Sequence, residues 1–443
     1  MRIVIPKSWN DRWRLGITLS LGLFAGMIPI SIFMINLAAI ILFITLVGKK
    51  ITDHPRVYVV PPLTWTILTF ILIAILSLIF SPYPTPLEVW AGLRKLRFFI
   101  YYFLVFYALF ETRQVKFPLW CFIGGCAASA LLGWTQFFGG NHDWVKWFND
   151  DLVKSPFVDR FRAMGFASHH RRFAMTVGFA IPLVGALWIH YRHKWKNGLF
   201  YFFLLLLFGG GIFFAHGRGE LLALILSTLL VPWVRSFRFG VLSVVGLVIL
   251  ALGLYIFVPQ KVAWFGPKAF EVSSKEVFYE DLKKEGEPQV IHTSNDIRVA
   301  LWRLSWELFR KHPVLGIGWG QFSHRQDIIQ EAIQEAENYP HRHPHSEWVW
   351  VGVELGIIGL LVFAFFWVTL LHRLIMAYRT REGLTQLLKA ILYAGIWGSL
   401  YWLASGMTDV ALLNSENAAA LFFVIGLACY GLFMKKRPHE VSR

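Results

Sequence analysis

Between Leu15 and Val47 the chain carries no charged side chain. A membrane helix needs about 20 apolar residues, so this stretch is too long for one span, and Pro29 divides it into two. Further apolar runs bounded by charge follow along the rest of the chain. Together they predict spans near 15–29, 31–47, 58–80, 98–110, 117–138, 173–189, 199–215, 219–234, 239–258, 347–371, 386–407 and 416–434. Twelve spans would occupy about 240 residues of the 443. The composition agrees: 56% hydrophobic and 16% charged, against about 45–50% and about 25% in soluble domains. An ordinary soluble enzyme, a disordered chain and a coiled coil are excluded. The runs are continuous and do not alternate at period two, which argues against a β-barrel. The expected fold class is all-α and polytopic.

The net charge of +16 arises from 43 Lys and Arg against 27 Asp and Glu. With the N-terminus in the cytoplasm, the short inside loops hold Lys49, Lys50 and Arg56, then Arg113 and Lys116, Arg192 to Lys196, Arg235 and Arg238, Arg373 to Arg381, and the tail Lys435 to Arg437. Every one is basic, as the positive-inside rule requires, and both termini are expected inside. No small-residue cleavage site follows Arg12 and Arg14, so no removable signal peptide is expected. Cys121, Cys126 and Cys429 lie in apolar runs and read as packing residues.

Two outer segments are long, about 139–172 and 259–346. The second contains 11 Lys and Arg and 12 Asp and Glu; its near-neutrality is compatible with translocation, and loops of this length usually carry function. The predicted organisation is therefore 1–258 as nine spans, 259–346 as a helical cap loop, and 347–443 as three spans and a tail. Within the cap loop, Ser294 or Asn295 can cap a helix running to Lys311, with Ile297, Leu301, Leu304 and Leu308 on one face and Pro313 as its stop. A second amphipathic helix is predicted over 326–337.

Several residues stand out chemically. His345 precedes Ser346, a good helix N-cap, at the mouth of a span. The positive end of that helix favours a neutral imidazole, the form a general base needs. An interfacial histidine without chemistry, or a metal ligand with His341 and His343, are the alternatives. Arg218, between Gly217 and Gly219, can fork onto phosphate oxygens or pair with Glu220. Arg298 opens the cap helix one turn before Trp302. Arg94, Lys95 and Arg97 form an outer basic cluster against the positive-inside bias. Arg160, Arg162, Arg171 and Arg172 give a weaker signal of the same kind. Glu354 lies inside a span, where a carboxylate is expensive unless paired or functional. Gly356 and Gly359 on the same helix suggest close helix packing. The chain lacks an Asp-x-Asp pair, a P-loop, His-Glu-x-x-His and Gly-x-Ser-x-Gly, and Gly316 to Gly320 has no preceding strand to make a dinucleotide fingerprint.

Three features together resemble the O-antigen ligase (WaaL) family, within the group of O-antigen ligases and polymerases. They are His345-Ser346 followed after nine residues by Gly356-Ile357-Ile358-Gly359, Arg298 with Trp302 and His312-Pro313-Val314-Leu315-Gly316-Ile317-Gly318, and Gly217-Arg218-Gly219. The family usually has Ser where Gly217 stands. The resemblance implies a GT-C-like glycosyltransferase of the bacterial inner membrane with its active site facing the periplasm. It would move O-antigen from undecaprenyl diphosphate to a sugar of the lipid A core, with inversion and without metal or other cofactor. His345 would be the base, and Arg218, Arg298 and Arg94 would bind the diphosphate. The partners implied are the carrier-linked O-antigen, the lipid A-core oligosaccharide and membrane lipids, with no nucleic acid. An O-antigen polymerase or a protein O-oligosaccharyltransferase is the near alternative, and a polysaccharide-lipid transporter the distant one. In a transporter, ionisable groups belong near the midplane; here the conspicuous cations line up on one face.

Overall fold

The computed structural model describes residues 9–53, 59–83, 86–140, 161–191, 195–242, 244–246, 294–325, 329 and 343–434. The described chain is all-helical. Its helices are α1 (Trp9–Met27), α2 (Ile32–Asp53), α3 (Thr64–Ile79), α4 (Pro86–Lys95), α5 (Phe98–Thr112), α6 (Lys116–Gly139), α7 (His170–Gly178), α8 (Ala180–Tyr191), α9 (Trp195–Phe214), α10 (Arg218–Leu230), α11 (Ser294–Lys311), α12 (Glu347–Thr380), α13 (Gln386–Ser405) and α14 (Ser415–Phe433).

Among the described residues, seven segments are long and apolar enough to cross a membrane unaided: α2, α6, α7 with α8, α9, α12, α13 and α14. The bundle is thus multi-pass. The other predicted spans fall on shorter helices or, as for 239–258, reach outside the described residues. Helices α3, α5 and α10 occupy predicted spans but are shorter than a bilayer core requires, and α1 carries Asp11, Arg12 and Arg14 in its first turns. The turn at Pro29 between α1 and α2 falls where the sequence places it, with Ser31 N donating to Met27 O. The cap helix α11 also runs over its expected limits. The second cap helix, expected over 326–337, lies outside the described residues except for Ile329, which is buried.

The core is centred on α14, whose apolar window is 94% buried, whereas those of α2 and α9 are only 28% and 22% buried. The latter two therefore present apolar side chains outward, Ile40, Ile44, Phe200 and Phe203 among them, as lipid-facing helices do. Helix α14 packs on α5 and α13, α13 on α8 and α10, and α12 on α3, α13 and the cap helix α11.

Helix α12 is not one straight rod. At Gly356 the backbone leaves helical geometry, with φ 64° and ψ −164°. The loop that follows α11 fills the break. Ile357 N donates to Pro313 O at 2.8 Å, Ile317 N to Val353 O at 2.9 Å and Gly318 N to Glu354 O at 3.0 Å, so the backbone groups freed by the kink are satisfied, as an apolar medium demands. Gly356 and Gly316 are required here. Each has positive φ, and a Cβ on Gly356 would lie 2.3 Å from the Val314 carbonyl oxygen, one on Gly316 2.4 Å from the Val353 oxygen. The packing role expected of Gly356 gives way to this one. The Glu354 carboxylate is explained too. It accepts from Gly320 N at 2.5 Å and Phe322 N at 3.1 Å, while Lys95 reaches the Gly320 carbonyl at 3.4 Å. Burial lowers the Lys95 pKa, against which Glu354 acts.

Candidate active site at the mouth of α12

His345 adopts φ 53°, in the left-handed region. A non-glycine residue there costs of order 1–3 kcal/mol and is held by its surroundings. The surroundings are two. First, Ser346 stands at the N-cap position of α12 and turns its hydroxyl to Gly406 O at 3.5 Å in place of a capping bond, while Glu347 N donates to the same oxygen at 2.7 Å. Glu347 Oε1 in turn accepts from Leu412 N at 3.1 Å. The loop between α13 and α14 is thereby stitched to the start of α12. Second, Trp302 Nε1 on the cap helix donates to Pro344 O at 2.8 Å.

The stitched loop delivers Asp409. Its Oδ1 lies 3.9 Å from His345 Nδ1 and 3.9 Å from His343 Nε2, and the same oxygen accepts from Val410 N at 2.8 Å. The two imidazoles stand edge to face, 4.6 Å between centroids. At 3.9 Å the acid is beyond hydrogen-bond range but within strong electrostatic reach. His343, His345 and Asp409 each offer one ligand atom, all within 4.8 Å of one another, so the acidic group that a metal reading of the histidines lacked in the local sequence is supplied from a distant loop.

Positive charge surrounds this pair. Burial, His343, Arg171 and Arg298 hold the His345 pKa down at about 3, against the opposing pull of Asp409. His169, the N-cap of α7, accepts from Arg171 N through Nδ1 at 3.2 Å; burial and the arginines keep its pKa at about 4. His216, just before Gly217 and also at positive φ (56°), is lowered to about 4 by burial, Arg162 and Arg218. Burial and then Arg171 and Arg218 bring Arg162 down to about 10. Burial lowers Arg298 as well, with Arg171 adding to the effect and Asp409 and Glu220 opposing it. Burial pushes Asp409 upward, but His343 and Arg171 hold it below its usual value. Several half-buried cations in mutual repulsion, with Asp409 and Glu220 as the facing carboxylates, make a site that favours an anion.

Close packing brings these elements together. A Cβ on Gly219 would lie 2.5 Å from Thr408 Oγ1, and one on Gly217 3.0 Å from the Ala174 Cβ. The start of α10 thus rests on the Asp409 loop and on α7, which puts Arg218 beside both. The missing Cβ at Gly217 leaves room for α7.

Residues 203–364 match the family model described as O-antigen ligase. That segment is similar to O-antigen ligases. No curated protein matches the chain. The matched segment includes Arg218, Arg298, His345 and the Gly356 break. Arg171, His169 and Asp409 come to its site from outside the matched segment.

Of the residues singled out in the sequence, Arg298 bears directly on His345, whereas Arg218 bears on Arg162 and His216 and is linked to His345 through Arg162 and Arg171. Arg94 does not join them. It is exposed at the end of α4 and is not among the charges acting most strongly on His345; its neighbour Lys95 turns inward. Asp409 was missed. Its only local signal is a carboxylate in a short link between two apolar runs. Arg171 carried a weak signal and turns out to act on His345, Asp409, Arg298 and Arg162 alike.

Proposed function

We propose that this multi-pass membrane protein is an O-antigen ligase that moves polysaccharide from undecaprenyl diphosphate to a sugar of the lipid A core. The reaction takes place on the periplasmic side of the bacterial inner membrane, in a bundle of about twelve spans of GT-C-like type with both termini in the cytoplasm. The observation that carries this reading is Arg171 and Arg298 bearing together on His345 beside Asp409. A cationic, partly buried site next to a neutral imidazole suits a glycosyl diphosphate and a hydroxyl acceptor.

In this mechanism Arg218, Arg298 and Arg171 hold the diphosphate. Arg94, from the exposed end of α4, draws the anion toward the site. The bound anion neutralises the arginines and raises the His345 pKa toward its ordinary range. His345 then takes the proton of the acceptor hydroxyl, whose oxygen bonds to the anomeric carbon with inversion. The bond from that carbon to the phosphate oxygen breaks, and its electron pair leaves on the diphosphate. The arginines stabilise the charge that grows there, and Asp409 stabilises the imidazolium. General-base help of this kind contributes roughly 10²–10⁴-fold. No metal takes part in a step.

Purified protein given carrier-linked O-antigen and lipid A core tests the reading. Transfer persists in EDTA, and Arg298→Lys and Arg218→Lys lose most of it, since a point charge does not replace a bidentate fork. Lipopolysaccharide from a deletion strain decides the acceptor. Bare core with accumulated polymerised carrier-linked glycan is expected, whereas core capped with one repeat would reassign the protein as a polymerase.

A further inference from the structure

At the end of the bundle where His169 and Asp409 lie, a separate cavity of about 240 Å³ opens between the α1–α2 turn, α6, the segment before α7, and the start of α14. Its floor holds Glu416, 6% exposed, whose Oε2 is buried without a hydrogen-bond partner. The first turn of α14 is a favourable place for a carboxyl group, but that leaves Oε2 without a partner. Three hydroxyls share the lining: Ser31, Ser129 and Ser168. Each accepts a bond, from Met34 N, Phe166 N and the Arg172 guanidinium respectively, which directs its own proton elsewhere. Thr176 also lines the space but donates to Asn417 at 2.8 Å. The remaining walls are apolar, Phe166 and Phe173 among them.

The chemistry of this lining selects its occupant. A phosphate is repelled by Glu416. A cation finds one carboxylate and the neighbouring Arg172. A hydrocarbon tail would bury an unpaired carboxylate oxygen, which is costly. A neutral ring bearing several hydroxyls satisfies every feature: its hydroxyls donate to Glu416 and accept from the serines, and its C–H face rests on the phenyl rings. The volume lies below the roughly 300–1,000 Å³ of sites that enclose drug-sized ligands, in keeping with one ring.

We propose that this cavity is a sugar subsite that seats a single ring of a glycan substrate, held by Glu416 Oε2. The proposal rests on the reading of the chain as a glycosyl-transferring enzyme, and the ring belongs to either the acceptor or the donor glycan. The test uses the full chain in detergent or nanodiscs, with two probes: core oligosaccharide freed of lipid A, and a repeat-unit oligosaccharide freed of its diphosphate. One of them is expected to bind the wild type, and Glu416→Gln to weaken it about ten- to a hundredfold, the range of one hydrogen bond to a charged group. In transfer assays KM for the matching substrate rises by the same factor while kcat holds. The probe that responds tells acceptor from donor. Ser31→Phe, which fills the cavity from its half-buried rim, gives the same loss and serves if Glu416→Gln does not fold. Binding of neither probe to the wild type, or both variants binding as wild type does, overturns the subsite. Probe binding without any glycosyl transfer would overturn the enzymatic reading and leave the subsite standing.

Discussion

The indole of Trp302 and the carbonyl of Pro344, 2.8 Å apart, tie the helix that bears Arg298 to the residue preceding His345. Guanidinium and imidazole are thus registered through one hydrogen bond, although they lie on separate elements. Trp302→Phe keeps the ring and removes the donor. A neutral hydrogen bond contributes about 0.5–1.5 kcal/mol, so donor KM is expected to rise about two- to tenfold with little change in folding. Steady-state kinetics and a melting curve of the variant check both parts.

Asp409 and His345 act as one unit in the proposed chemistry. Asp409→Asn should lower kcat, and His345→Ala should lower it by about 10²–10⁴-fold. The double variant should be no slower than His345→Ala alone, because groups that work together are not additive. Independent, multiplying losses would separate the two residues.

Activity should respond to pH differently in the free and the loaded enzyme. The free protein holds His345 neutral down to a pKa of about 3, so kcat/KM for the donor keeps no acid limb near 6.5 from this residue. With the diphosphate bound, its charge offsets Arg171 and Arg298, and the acid limb of kcat moves upward. Paired pH profiles of kcat/KM and kcat measure this shift, and coincident limbs would contradict it.

Stability should also depend on pH. His345, His169 and His216 have pKa values of about 3, 4 and 4, all below the value of about 6.5 for an unfolded histidine. Between these limits the unfolded chain binds more protons, so stability falls with falling pH. The contribution is complete above about 6.5 and is lost as pH drops toward about 4 and then 3. Melting temperatures in detergent from pH 8 to pH 4 are expected to decline below about 6.5, and His169→Gln to flatten the decline.

Gly356→Ala places a Cβ against the Val314 carbonyl at a positive φ. Strain of this kind is worth about 1–3 kcal/mol, and the clash adds to it. A lower melting temperature is expected, together with a loss of activity larger than unfolding explains, because the same kink sets the segment leading to His345.

Much of this architecture can be read in the residues. Apolar runs bounded by basic loops mark the helices, Ser294 and Pro313 bracket the cap helix, and His345-Ser346 marks the start of α12. These signals are local. What could not be read is what long-range packing decides. Asp409 meets His345 only because Gly406 O binds the start of α12. The break at Gly356 exists because a loop from before the helix enters it. The inward turn of Lys95, while Arg94 stays exposed, depends on the Gly320 carbonyl and Glu354, both remote in sequence.

The left-handed backbone of His345 has a last consequence. Residues at ease in that conformation, glycine and asparagine, would relax position 345. A selection for heat tolerance alone would then reward replacing it, and the winners would be durable proteins with nothing left to accept the hydroxyl proton.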